Sequence, residues 1–100
     1  MTRTLEWQVR LRIAEENGTT RARVTVDTGA RTLEGHGTAR RNPEDRDVPE
    51  IGDELAAGRA MSDAARGLMR AAYRDIGEVG AGLSNDRYEH AGQGWSTVGG

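Results

Sequence analysis

The stretch Leu5-Glu6-Trp7-Gln8-Val9-Arg10-Leu11-Arg12-Ile13-Ala14-Glu15-Glu16-Asn17-Gly18-Thr19-Thr20-Arg21-Ala22-Arg23-Val24-Thr25-Val26-Asp27 decides the fold. Residues 5–13 alternate without a break. Leu5, Trp7, Val9, Leu11 and Ile13 fall on one side, and Glu6, Gln8, Arg10 and Arg12 fall on the other. A period of two in aliphatic and aromatic residues defines a strand with one face turned to a core. Asn17-Gly18 then marks a two-residue hairpin, because a type I′ turn requires positive φ at both central positions. Alternation resumes beyond it, with Ala22, Val24 and Val26 opposed to Arg21, Arg23, Thr25 and Asp27. Folding at Asn17-Gly18 sets Ile13 opposite Ala22, Leu11 opposite Val24 and Val9 opposite Val26. Apolar residues meet apolar residues throughout, which is the condition for a unique register.

Downstream, Gly29-Ala30 suits a type II′ turn with glycine at its first central position. A third strand over about residues 31–41 then turns Leu33, Gly35, Gly37 and Ala39 inward. Glycines on an inward face let another backbone come close. Asn42 to Pro49 is a polar, proline-punctuated connection. A helical pattern follows to about Gly77, with an apolar stripe at Ile51, Leu55, Gly58, Met61, Ala65, Leu68, Met69, Ala72 and Ile76. In this reading Asp47 caps the helix. Gly58 marks its crossing of the glycine-bearing strand, and Asp53, Glu54 and Asp63 form a solvated face. The whole is an α+β fold, a three-stranded antiparallel meander packed on one long C-terminal helix. Residues 1–79 make the domain, and the glycine-rich residues 80–100 form a loose tail in which Tyr88 and Trp95 stand out.

The register also predicts the face that one helix leaves uncovered. Arg12, Arg23 and His36 form one cross-sheet row, flanked by Arg10-Thr25-Glu34 on one side and Ala14-Arg21-Thr38 on the other, with Arg40 beyond. Like charges directly opposite one another on a sheet are destabilising. Arg10, Arg12, Arg21, Arg23, His36 and Arg40 are therefore the candidate contacts to a polyanion such as an RNA phosphate backbone. The plainer alternative is a solvated face, since long arginine side chains splay apart easily.

Composition sets the outer limits. The 100 residues carry a net charge of −2 and only 35% hydrophobic residues, so the core is thin and a covering partner subunit is expected. All 14 basic side chains are arginine. Residues 1–42 hold eight of them against five acidic residues, and residues 43–100 hold six against eleven. The front half thus suits an anionic partner. Absence of cysteine excludes disulfides and thiolate chemistry. No apolar run reaches the roughly 18–20 residues that span a bilayer. The N-terminus lacks a leader pattern, so a cytoplasmic location is expected. His36 and His90 belong to no metal-ligand spacing, and Ser62-Asp63 lacks a histidine partner. No enzyme activity, metal, cofactor or small-molecule substrate is expected.

Ala39-Arg40-Arg41-Asn42-Pro43, then Val48-Pro49-Glu50-Ile51-Gly52-Asp53-Glu54-Leu55, Ala57, Arg59, Ala60, Ser62 and Asp63, and finally Asp75-Ile76 carry a resemblance. With Thr20-Arg21-Ala22-Arg23-Val24 and Gly35-His36-Gly37, they resemble a small actinobacterial domain-of-unknown-function family with a dsRBD-like fold. The resemblance covers about residues 5–79. It implies a β-β-β-α homodimer and no catalytic residues. The resemblance also implies that some mycobacterial members are associated with dormancy and hypoxia and are structurally similar to ribosome hibernation promoting factors. Those factors carry strongly basic surfaces, whereas this chain is net acidic. The resulting expectation is a stress-associated protein that contacts the ribosome or structured RNA. The alternative is a homodimeric protein–protein interaction module with no nucleic-acid role.

Overall fold

The computed structural model describes residues 1–81. Three nine-residue strands, β1 (Gln8–Glu16), β2 (Thr19–Asp27) and β3 (Thr32–Arg40), are followed by a 33-residue helix, α1 (Pro49–Ala81). The strands form an antiparallel sheet in the order β1-β2-β3, and the chain is the β-β-β-α fold expected. Two compact units divide it, residues 1–67 and 68–100. The first holds the sheet and the helix up to Gly67. The described part of the second is the remainder of α1, in which Ala71 is buried. Tyr88, Trp95 and His90 lie outside the described residues.

Both turns have the expected chemistry. Asn17 and Gly18 sit at φ 50° and 77°, and Gly29 at φ 86°. The pairs Ile13–Ala22, Leu11–Val24 and Val9–Val26 are all present. So are Ala22–Gly37, Val24–Gly35 and Val26–Leu33. Ala22, Val24, Val26 and Ala39 are buried.

The helix departs from expectation. The buried stripe in the first unit is Ala56, Ala57, Ala60 and Ala64, while Ile51, Leu55 and Met61 are about half exposed. The cause lies on β3. A Cβ added at Gly35 would collide with the Ala60 carbonyl oxygen and the Ala64 amide, and one at Gly37 with the Ala56 carbonyl oxygen and the Ala60 amide. Helix and strand backbones approach this closely only where both partners are small, so alanine rather than leucine or methionine faces the sheet. Gly58 does not mark the crossing, since its Cβ position faces open space. Asp47 does not cap the helix either. The first turn closes with the Ile51 amide donating to the Val48 carbonyl at 3.0 Å, and Pro49 occupies the start, where its missing N–H costs nothing. The Asp47 carboxylate lies instead 3.8 Å from Arg41 Nε.

Centred on β3, the helix leaves most of β1, two strand spacings or roughly 9–10 Å away, uncovered and meets it only at the Glu15 end. The inward side chains of β1 are consequently open, with Leu11 39%, Ile13 42% and Val9 63% exposed. The sheet edges differ for the same reason. The His36 amide donates to Asp63 Oδ2 at 2.8 Å, and Arg59 Nη1 donates to the Thr38 carbonyl at 2.7 Å. Two helix side chains thus occupy outward-directed backbone groups of β3, a recognised way of blunting an edge.

Glycine substitutions separate these roles. Gly35→Ala and Gly37→Ala each force helix and strand apart and are expected to cost about 1–3 kcal/mol in urea unfolding. Gly58→Ala, with free space and a helical backbone, is expected to gain about 0.5–1 kcal/mol.

Candidate nucleic-acid interface

The outward face of the sheet assembles as the register predicts. Arg12 pairs with Arg23, and Arg23 with His36. Arg10-Thr25-Glu34 and Ala14-Arg21-Thr38 flank that row. Residues two apart on one strand face stand roughly 7 Å from each other, so Arg10, Arg12, Arg21, Arg23 and His36 share one compact patch. All five are exposed. No carboxylate among the described residues pairs with Arg10, Arg12, Arg21 or Arg23. His36 Nε2 lies 3.6 Å from Glu34 Oε2. Arg40 falls outside the central patch, in the end row Glu16-Thr19-Arg40. Glu16, Asp27 and Glu34 fringe the patch, so the face is basic at its centre and acidic towards its ends. Rigid strand positions hold these guanidinium groups together, an arrangement able to contact several phosphates at once.

Two features of the opposite side were not legible in the sequence. A cleft of about 730 Å³ opens at the sheet end where Asn17-Gly18, the connection through Asp45–Pro49 and the start of α1 meet. It is walled by Arg40, Arg41 and Arg46 together with Glu15, Glu16 and Asp47, and its charge is mixed. Beside it, the Glu15 carboxyl on β1 and Asp53 on α1 come together. A hydrogen bond with Asp53 and repulsion from its charge, followed by partial desolvation and the charges of Asp47 and Glu50, raise the Glu15 pKa above the ordinary 4.5. Asp53 Oδ1 is buried without a hydrogen-bond partner. Asp53 and Asp63 are therefore not parts of a solvated helix face, as periodicity implied. One meets a second carboxyl and the other holds the edge of β3.

A three-stranded meander whose helix sits over its last strand places the chain among small β-β-β-α proteins. Residues 5–85 match the Rv2632c-like family, and the chain belongs to it. Uncharacterized protein Mb1767 of Mycobacterium bovis is 44% identical over 73 residues, covering 73% of this chain and 78% of that protein. Uncharacterized protein Rv2632c of Mycobacterium tuberculosis is 41% identical over 69 residues, covering 69% and 74%. The crystal structure of Rv2632c superposes with a TM-score of 0.72 at 36% identity, covering 78% of this chain and 93% of that one. No helix among the described residues is long and apolar enough to cross a membrane.

The carboxyl pair makes a pH-dependent contribution. A carboxyl whose pKa is raised on folding stabilises the fold fully below its unfolded value. That contribution is lost as pH rises through the folded value. Glu15→Gln keeps the hydrogen bond without the charge. It is expected to raise the thermal midpoint at pH 7 and to leave it unchanged near pH 4, compared by calorimetry with the parent chain.

Proposed function

We propose that this is a non-enzymatic protein whose sheet face contacts structured RNA, with the ribosome as the first candidate. The observation that supports this reading is the row Arg12-Arg23-His36, flanked by Arg10 and Arg21, whose arginines have no carboxylate partner among the described residues. Stacking like charges across strands costs stability, and a phosphate backbone relieves that cost. The face carries no Phe, Tyr or Trp within the strands and a single imidazole, His36, so contact runs mainly through phosphates and shape rather than base stacking. The link to stress and dormancy rests on the family resemblance alone. Ribosome co-sedimentation tests the reading. The parent chain is expected to pellet with ribosomes at low salt and to be released at raised salt. Arg21→Glu combined with Arg23→Glu, on the central strand, is expected to abolish pelleting. An absence of pelleting at low salt would overturn the proposal.

A second reading, that the chain is a homodimeric interaction module, is favoured by a separate observation. Leu5, Trp7, Val9, Leu11 and Ile13 all stand 39–63% exposed along one line. A contiguous apolar surface of this kind marks an association site. Light scattering is expected to return twice the 10.8 kDa chain mass, and Leu11→Asp to return the single mass. A monomeric parent chain would sink this second reading. The two readings are compatible, because the apolar line and the arginine patch lie on opposite faces of β1.

A further inference from the structure

The alternation of the N-terminal segment begins at Leu5, yet β1 begins only at Gln8, where β2 runs out at Asp27. Residues 5–7 therefore carry strand patterning with no strand beside them. The outer edge of β1 is equally unmatched. Glu16 and Thr19 close the two-residue turn, so even-numbered residues of β1 direct their backbone groups to β2. Odd-numbered residues direct theirs outward. On β3 the outward groups of His36 and Thr38 are occupied by Asp63 and Arg59. Among the described residues, no helix side chain covers β1 in this way.

From this we infer that a second copy of the chain pairs antiparallel along the β1 edge, in the one register centred on Val9. The inference rests on the homodimer reading and specifies its geometry. In that register Val9 meets Val9 of the second copy, Trp7 meets Leu11, and Leu5 meets Ile13. On the other face Gln8 meets Arg10, Glu6 meets Arg12, and Thr4 meets Ala14. Arg3 arrives at Glu15, the carboxyl already crowded by Asp53, Asp47 and Glu50. Every apolar residue of the exposed line has an apolar neighbour, and every charge pair formed is of opposite sign.

Neighbouring registers lose this match. Moving the axis to Arg10 sets Arg10 against Arg10 and Leu5 against Glu15. Moving it to Gln8 sets Ile13 against Arg3. A register with the axis on Leu11 places Arg10 opposite Arg12 twice. Cross-strand charge pairs are the terms that distinguish registers of like backbone pairing. A two-fold axis normal to the sheet keeps both arginine patches on one side of a continuous six-stranded sheet.

Charge exchange between positions 6 and 12 tests the register. Glu6→Arg alone sets the new guanidinium against Arg12 twice per dimer, and Arg12→Glu alone sets the new carboxylate against Glu6 twice. Each single variant is expected to dimerise about tenfold more weakly than the parent in sedimentation equilibrium. Mixing the two single variants sets the new guanidinium at position 6 against the new carboxylate at position 12, and native Arg12 against native Glu6, so the mixed dimer is expected to recover near-parental affinity. The double variant Glu6→Arg with Arg12→Glu restores opposite charges at both contacts, and is expected to dimerise with near-parental affinity. The chain contains no cysteine, so Val9→Cys is a clean second probe. It is expected to form a disulfide-linked dimer on mild oxidation, because directly opposed strand residues lie within disulfide reach. Glu34→Cys, on the β3 edge, is expected not to do so. A dimeric parent whose affinity ignores both charge reversals, with no rescue in the double variant, would overturn the edge register and leave the homodimer reading standing. Such a result would point to dimers made by stacking two apolar faces. A monomeric parent would overturn both.

Discussion

The contact on which the structure depends is the approach of α1 to β3 at Gly35 and Gly37, too close for a Cβ on either residue. Placing the helix backbone against a strand backbone demands small residues on both sides, and Ala56, Ala60 and Ala64 supply them. Everything else about the helix follows from where that contact lies. It lies on an edge strand, so the helix is off centre and most of β1 stays bare. It also brings Asp63 and Arg59 within reach of the β3 edge, closing one side of the sheet while the other stays open.

An off-centre helix leaves a strand with two unlike faces, both accessible. Leu11 and Ile13 look one way along β1, and Arg10 and Arg12 look the other. One surface attracts apolar partners and the other attracts anions, and neither interferes with its counterpart. That division explains how a net acidic chain of 100 residues carries a locally basic face. The acidic residues are concentrated in the connection and the helix, leaving the middle of the outward sheet face to arginine and histidine. Charge distribution, not net charge, sets the field that a partner meets at short range.

How far the candidate site could be read in advance depends on the range of the interactions involved. The row Arg12-Arg23-His36 was legible because one turn, Asn17-Gly18, sets the register of β1 on β2. A second, at Gly29-Ala30, sets that of β3. Arg40 was legible as outward-facing, although its row lies away from the central patch. The stripe through Ile51, Leu55 and Met61 is equally regular in the sequence, yet it faces outward. Periodicity reveals that a helix has an apolar side but does not weigh large side chains against a close backbone contact. Glu15 and Asp53 are 38 positions apart in the chain, so no local pattern announces their meeting.

Local patterning specified the three strands, both turns, the pairing register and the sorting of arginine to one sheet face. These rest on period-two side-chain direction and on φ preferences within a few residues, which act before any distant contact forms. Packing of helix on sheet set which side of the helix turns inward, which strand stays uncovered and which sheet edge is sealed. Those outcomes depend on the closest distance two elements can reach, a property that neither element carries alone.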